Sequence, residues 1–350
     1  MRKVMVLLLA AVMLLGGCAA PAPKLERYTH SFYDTFDTVV ILTGYAPDQA
    51  TFDRAAEVCE REFRRYHEMF TAYRHSENVN NVWELNEAAW KAPMQVEPEM
   101  MELLQLCMDQ YAISTAVNPA MGRVLRLWHT AREDAEIDPY TAYIPGMEAL
   151  REANGHTAIT DLILDPDAMT VYYADPLLRL DLGAVAKGFA AGKVAEKVAE
   201  IVPVFSINAG GNIVLGKKHN DGGWKIGIQH PDAALFTDEN QYICTLQAEN
   251  CAVVTSGDYQ RYFYAEGRAW HHLIDPETLL PAEHCRSVTI VAPTSALADW
   301  YSTAAFILPY EESHALIGSR EGIEALWYLP DGTVEMTDGF AKLMLPDEAK

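Results

Sequence analysis

The apolar positions change period several times along this chain. Phe32 to Thr43 carries the apolar run Val39-Val40-Ile41-Leu42 at its centre, which predicts one strand. Gln49 to Phe70 spaces its apolar residues helically among dense charge, and Pro98 to Ser114 predicts a second helix. The polar stretch Arg74 to Asn81 reads as a loop, and Ile137 to His156 as a Pro- and Gly-punctuated connection with a short helix. From Thr157 the pattern turns to short strands at Ala158–Leu164, Thr170–Tyr173 and Leu178–Leu182. A helix over Val185–Glu200 interrupts them. Strands resume at Val204–Asn208, Ile213–Leu215, Trp224–Gln229, Tyr242–Leu246, Ala252–Thr255, Tyr262–Ala265 and Ser287–Ala292. Helices over Ala296–Phe306 and Glu311–Ile317 and a hairpin over Ala325–Glu335 end the pattern. Many strands with a few long helices predict an α+β fold, its sheets largely antiparallel or mixed and flanked by helices.

The first residues follow a different rule. Arg2 and Lys3 precede the apolar run Val4 to Leu15, and Leu15-Gly16-Gly17-Cys18 matches a bacterial lipobox. Residues 1–17 are therefore expected to be a lipoprotein signal peptide, Cys18 the lipidated residue and 18–30 a tether. One domain is expected over 31–345, on the extracytoplasmic face of a bacterial membrane. The remaining cysteines, Cys59, Cys107, Cys244, Cys251 and Cys285, show no CxxC spacing, so neither a disulfide framework nor a zinc site is signalled.

Composition is ordinary, with 50% hydrophobic and 22% charged residues, but 27 Lys+Arg against 49 Asp+Glu leave a net charge of −22. Loss of the leader would take Arg2 and Lys3 and no anion, making the chain more acidic still. Such a balance excludes sequence-independent binding to nucleic acid, which needs clustered cations. An anionic ligand would have to be held by local devices.

Several segments could supply them. Gly211 to Lys217 fits the glycine and lysine spacing of a phosphate loop, but Lys218 stands where Ser or Thr should hold magnesium, and a turn follows where a helix is required. Leu180 to Gly188 is more informative. A predicted strand ends at Asp181 and a helix opens near Gly183, placing backbone amides, a carboxylate and Lys187 together as a candidate anion site. Thr255-Ser256-Gly257-Asp258-Tyr259 puts hydroxyls just past a strand, and His272 before Asp275-Pro276 is a candidate base. Asp299 and Thr303, four apart in a helix, share one face and are hard oxygen donors suited to magnesium.

The order of these segments resembles that of the ApbE family of FAD:protein FMN transferases. The resemblance is carried by Phe70-Thr71-Ala72-Tyr73 with Ser76 and Asn86, Leu180 to Gly188, Asn208-Ala209-Gly210-Gly211-Asn212 and Trp224-Lys225-Ile226-Gly227-Ile228. Thr255 to Tyr259, His272 to Pro276, and Ala298-Asp299 with Thr303 complete it. It implies FAD as substrate and one or two Mg²⁺ held by the main-chain oxygen of Ala184 and the side chains of Asp299 and Thr303. It further implies Tyr73 against the isoalloxazine, Ala116, Val117 and Asn118 beside the adenosine, and Asp181, Lys187, Thr255 and Ile274 completing the FAD pocket. His272 would be the base.

The implied reaction moves FMN to a Thr or Ser hydroxyl of an extracytoplasmic FMN-binding acceptor, such as a subunit of a membrane redox complex, and releases AMP. A magnesium-dependent FAD pyrophosphatase and a flavin-scavenging lipoprotein remain alternatives. Two stretches depart from the family pattern: Thr115 to Ala120 replaces Gly-Ala-Phe-Asp-Pro-Thr, and Phe36-Asp37-Thr38 replaces Met-Gly-Thr.

Overall fold

The segment predicted as one strand folds back on itself. Strands β1 (Glu26–Thr35) and β2 (Thr38–Ala46) are antiparallel, joined by a turn in which Phe36 and Asp37 take left-handed φ values of 50° and 52°. Glu26 to His30, expected in the tether, thus belong to the sheet. The computed structural model describes residues 24–219, 222–235 and 241–346; the leader, Cys18, Asn220 and Asp221 lie outside them.

The further strands are β3 (Met94–Gln95), β4 (Leu162–Asp165), β5 (Thr170–Tyr173), β6 (Phe205–Ala209), β7 (Asn212–Leu215) and β8 (Trp224–Gln229). They continue with β9 (Tyr242–Ala248), β10 (Cys251–Gly257), β11 (Tyr262–Ala265), β12 (Arg268–His271), β13 (Ser287–Ala292), β14 (Glu324–Tyr328) and β15 (Val334–Met336). The helices are α1 (Gln49–Phe70), α2 (Val82–Ala88), α3 (Pro98–Tyr111), α4 (Gly122–Ile137), α5 (Met147–Asn154), α6 (Ala186–Ala199), α7 (Ser295–Ile307), α8 (Tyr310–Gly318) and α9 (Asp338–Ala341). The α+β expectation holds. An eight-stranded sheet in the order β1-β2-β6-β7-β10-β13-β14-β15 is antiparallel at every pairing.

Alternation along its strands sends Val40, Leu42, Ile207, Val254, Val288 and Ile290 to one face, where they join the main core with α1, α6 and α7. Helix α7 is buried on nearly every side, which is why Ala296 to Phe306 reads as apolar all round. Thr294 caps it by accepting from the Leu297 amide, and α7 packs on β10, β13 and α6. Across the sheet, the β8–β9 ribbon covers part of the outward face with Ile226, Ile228 and Leu246. A second small core joins α4, α5 and the β11–β12 hairpin, centred on Trp128 stacked on Trp270 with centroids 5.6 Å apart.

Two predicted strands are not formed as read. Ile159–Asp161 is a 3-10 turn, leaving β4 only four residues. Leu178–Leu182 makes no ladder, although Leu178, Leu180 and Leu182 are all buried as the alternation predicted. Its backbone is instead held by a side chain. Asn86 Nδ2 donates to the Leu180 carbonyl at 2.9 Å, and the Leu180 amide donates to Asn86 Oδ1 at 2.7 Å. The Asp181 amide is taken by the Pro119 carbonyl at 2.9 Å. Helices α2 and α4 are additional to the elements expected above.

Candidate active site

The main sheet and the α4/β11–β12 layer enclose a cavity of about 750 Å³. All twelve described residues expected at the site line it: Tyr73, Ala116, Val117, Asn118, Asp181, Ala184, Lys187, Thr255, His272, Ile274, Asp299 and Thr303. They come from segments as far apart as Tyr73 and Thr303, so the sheet and the two cores do the gathering.

Asp299 and Thr303 project from one face of α7 and are both buried. Helix α6 crosses at Gly188, whose amide donates to Asp299 Oδ2 at 2.7 Å. Only glycine permits this approach, because a β-carbon there would lie 2.4 Å from both Asp299 Cβ and the Ser295 carbonyl oxygen. Several of the amides expected at the start of α6 already have partners: Gly183 donates to Asp181, Val185 and Ala186 donate to the Leu182 carbonyl, and Gly188 serves Asp299. The positive end of α6 therefore supports a carboxylate of the protein itself.

Burial pushes Asp299 above the usual carboxylate range, against the opposing pull of Lys187, the Asn212 side chain and the Gly188 amide. Burial likewise lowers Lys187, while Asp299 raises it and Arg261 lowers it further. Lys187 Nζ donates to Asn212 Oδ1, so Asn212 of β7 fixes the ammonium beside the carboxylate. Among the described residues no group of three or more His, Cys, Asp or Glu side chains gathers to hold a metal. The donors expected for a metal are one carboxylate, one hydroxyl and the Ala184 carbonyl, and all three residues line the cavity. Such hard oxygens fit magnesium, which keeps the rest of its shell for water and substrate phosphate.

His272, just past β12, lines the same cavity. Its Nδ1 lies 3.3 Å from the Arg261 carbonyl, which can only accept, so Nδ1 carries the proton and Nε2 is left as an acceptor. Burial, helped by Arg261, His271 and Arg132, lowers its pKa to about 3, and the imidazole is neutral at ordinary pH.

Tyr73 stacks on His129 with centroids 4.1 Å apart, and its hydroxyl donates to Asp181 Oδ2 at 2.6 Å. Asp181 Oδ1 accepts from the Gly183 amide at 2.8 Å, so this carboxylate holds both the ring and the turn into α6. Asn118 lines the cavity, but its polar atoms are committed to backbone: Nδ2 donates to Thr157 O and Oδ1 accepts from Ala120 N, each at 2.9 Å. Thr255 shares its hydroxyl with Thr289 across β10 and β13 at 2.9 Å.

Sequence reasoning missed three ionisable residues of the same wall: Arg261, two residues beyond Thr255–Tyr259, and His129 and Arg132 of helix α4. Asn212, inside a motif named above, is fully buried and reaches the site through Lys187. Arg261 Nη2 donates to the Phe36 carbonyl at 2.7 Å and its Nη1 lies 3.8 Å from Asp37, tying the β1–β2 turn to the cavity. Asp37 accepts the left-handed φ that turn demands, which a family glycine would meet without strain.

Comparison with known proteins places these features. The chain is 30% identical over 291 residues to a FAD:protein FMN transferase of Klebsiella pneumoniae (strain 342), covering 82% of this chain and 85% of that protein. It is 34% identical over 272 residues to the FAD:protein FMN transferase of Treponema pallidum (strain Nichols), covering 73% and 72%. The fold is shared with the crystal structure of the ApbE protein of Thermotoga maritima MSB8, with a TM-score of 0.79 at 24% identity over 92% of this chain and all of that one. It is shared also with the flavin transferase ApbE of Vibrio cholerae, with a TM-score of 0.75 at 21% identity over 91% and 99%. Residues 34–327 match the family model described as "ApbE family", and the chain belongs to that family.

Proposed function

We propose that this chain is a magnesium-dependent FAD:protein FMN transferase. The hydroxyl oxygen of a threonine or serine on a target flavoprotein bonds to the FMN phosphorus, the phosphorus–oxygen bond to AMP breaks, and AMP leaves. FMN stays on the protein through a phosphoester. The observation that carries this reading is the meeting, in one cavity of an acidic chain, of Asp299 and Thr303 with Lys187 and a neutral, anchored His272.

Each group has a task that its geometry supports. His272 Nε2 takes the hydroxyl proton; the anionic pyrophosphate of arriving FAD raises its basicity from the low value that burial sets. Lys187 and Arg261 face the phosphates. Asp299, Thr303 and the Ala184 carbonyl would hold Mg²⁺, which when bound neutralises diphosphate charge and stabilises the leaving AMP. Tyr73, held by Asp181, offers its ring to the isoalloxazine, which takes the place of His129 on that face.

Incubation with FAD, Mg²⁺ and an apo FMN-binding domain tests the reading. The domain should gain the mass of one FMN as AMP appears. Free FMN and AMP with no adduct would make the chain a pyrophosphatase, and unchanged FAD would make it a flavin binder.

The sequence of residues 1–18 supports a further part of the reading, a lipid anchor at Cys18 on the extracytoplasmic face of a bacterial membrane, where the acceptor would be found. Cys18→Ser should move the protein from the membrane to the soluble fraction.

A further inference from the structure

The turn between β1 and β2 is held by contacts that do not involve the Asp37 side chain. The Phe36 amide donates to His67 Nδ1 at 3.1 Å, and the Phe36 ring meets those of His67 and Phe63 edge-on, at 5.4 and 6.4 Å between centroids. Arg261 Nη2 donates to the Phe36 carbonyl at 2.7 Å. Thr38 packs where Gly210 has no side chain, since a β-carbon there would collide with Thr38 Oγ1. Asp37 itself takes a left-handed φ of 52°, which glycine enters without cost, and its side chain is 73% exposed. A charged residue kept on such a backbone beside a site calls for a task other than holding the turn.

Asp37 and Arg261 both border the large cavity. Asp37 Oδ2 lies 3.8 Å from Arg261 Nη1, beyond hydrogen-bond reach. The carboxylate therefore does not orient the guanidinium, which the Phe36 carbonyl already does. What it contributes is charge, at a separation well inside the screening length of about 8 Å at physiological salt. The charge of Arg261 in turn reaches the centre of the site. Beside the larger effect of burial, it lowers Lys187 and His272 and draws Asp299 down. A carboxylate that offsets Arg261 thus weakens the positive potential offered to a phosphate.

We infer that Asp37 sets the affinity for FAD, because its carboxylate and the diphosphate compete for the Arg261 guanidinium. This rests on the transferase reading, which supplies a diphosphate ligand and places Arg261 toward it. The diphosphate draws Nη1 from Asp37 while Nη2 keeps the Phe36 carbonyl, so the turn stays in place. The displaced carboxylate then opposes the bound phosphates and favours the departure of phosphate-bearing products. The pair is exposed and long, which makes the effect a tuning of a few fold rather than a block. Since only charge is involved, it acts on FAD and not on riboflavin, which carries the same ring system without a phosphate.

Asp37→Asn in the full chain tests this, because asparagine tolerates the left-handed φ and keeps the shape while removing the charge. In flavin fluorescence titrations with Mg²⁺ at low salt, the variant should bind FAD about three- to fivefold more tightly than the unmodified chain. Riboflavin should bind both equally. The difference for FAD should shrink below about twofold at 1 M salt, where the screening length is about 3 Å. Asp37→Gly, which suits the same φ, should reproduce the gain. Unchanged or weaker FAD binding by Asp37→Asn would overturn the competition and make the carboxylate a support for Arg261. An equal gain for riboflavin would assign the effect to the shape of the turn and also overturn it. No binding of FAD by the unmodified chain would instead remove the transferase reading, and this inference with it.

Discussion

Gly188 is the contact on which the candidate metal site is built, and replacing it with alanine separates site geometry from stability. The new β-carbon would sit 2.4 Å from Asp299 Cβ and 2.4 Å from the Ser295 carbonyl oxygen, both parts of α7. Non-bonded carbons settle at about 3.5–4.0 Å, so α6 and α7 must part by roughly 1 Å or Asp299 must swing away. Overpacking of this kind costs about 1–3 kcal/mol. Alanine returns up to about 1 kcal/mol of helix propensity. The net loss of about 0–2 kcal/mol lowers Tm by no more than about 8 °C. Catalysis is far less forgiving, since a displacement of about 1 Å in a positioning group costs about 100-fold in rate.

The assay is turnover of FAD as a function of Mg²⁺ concentration, alongside a thermal melt. Gly192→Ala, one turn further along α6, is the control. Its β-carbon would meet only Ser295 Cβ, at 3.8 Å, so it should stabilise by about 0.5–1 kcal/mol and leave turnover alone. Gly188→Ala should fold, melt slightly early and turn over about 100-fold more slowly, with a shifted Mg²⁺ requirement. Turnover and Mg²⁺ dependence unchanged in Gly188→Ala would refute the placement of Asp299 at the metal. Equal losses in the two variants would refute the contact argument.

Three further outcomes follow from the same geometry. Asp299→Asn keeps the shape and the Gly188 contact but removes the charge, so magnesium-dependent turnover should fall by at least about 100-fold with the melt preserved; wild-type turnover at saturating Mg²⁺ would contradict it. His67, His129, His271 and His272 are all lowered chiefly by burial, the last to about 3. The unfolded chain therefore takes up protons first as pH falls below the ordinary histidine value, and stability should begin to drop near pH 6.5, above the carboxylate range, and keep falling toward pH 3. Melts at successive pH values read this, and a flat profile down to the carboxylate range would contradict it. Finally, EDTA should weaken FAD binding by roughly a thousandfold, taking about 4 kcal/mol for a unit-charge pair about 4 Å apart at an effective dielectric near 20; flavin fluorescence titrations that agree with and without the chelator would remove the metal from the binding step.

How far the sequence reveals these features depends on where each residue finds its partner. Asp299 and Thr303 are legible because their relation is local, four residues on one helix. The main sheet is legible because its strands are short apolar runs, alternating where one face is open and continuous where both are covered, as in β13. Phe36 and Asp37 conceal the turn between β1 and β2, since neither is a residue that advertises a left-handed φ as glycine does. Leu178 to Leu182 shows a genuine period of two, yet its backbone partner is Asn86, a side chain 94 residues away from Leu180. Arg261 acts through its carbonyl on His272 and through its guanidinium on Phe36, and no spacing rule encodes either contact. Helix α4 differs from these, because Val124, Trp128, Ala131 and Ala135 recur at helical spacing and are all buried.

The charge of the chain has its resolution at the cavity wall. With 49 acidic residues against 27 basic ones, the whole molecule repels a diphosphate. The wall itself does not share that excess. Asp37, Asp181 and Asp299 line it together with Arg132, Lys187 and Arg261, and the histidines His129, His271 and His272 are all lowered by burial and neutral at ordinary pH. The carboxylates and cations cancel, so the cavity is locally balanced inside an acidic protein. A balanced wall tolerates the pyrophosphate of FAD without neutralising it, and the two negative charges left over match one divalent cation. Asp299, raised by burial and only partly offset by Lys187, is the carboxylate with the most to gain from that cation. The acidity of the surface and the proposed metal in the cavity are thus connected, and the chelation experiment tests that connection directly.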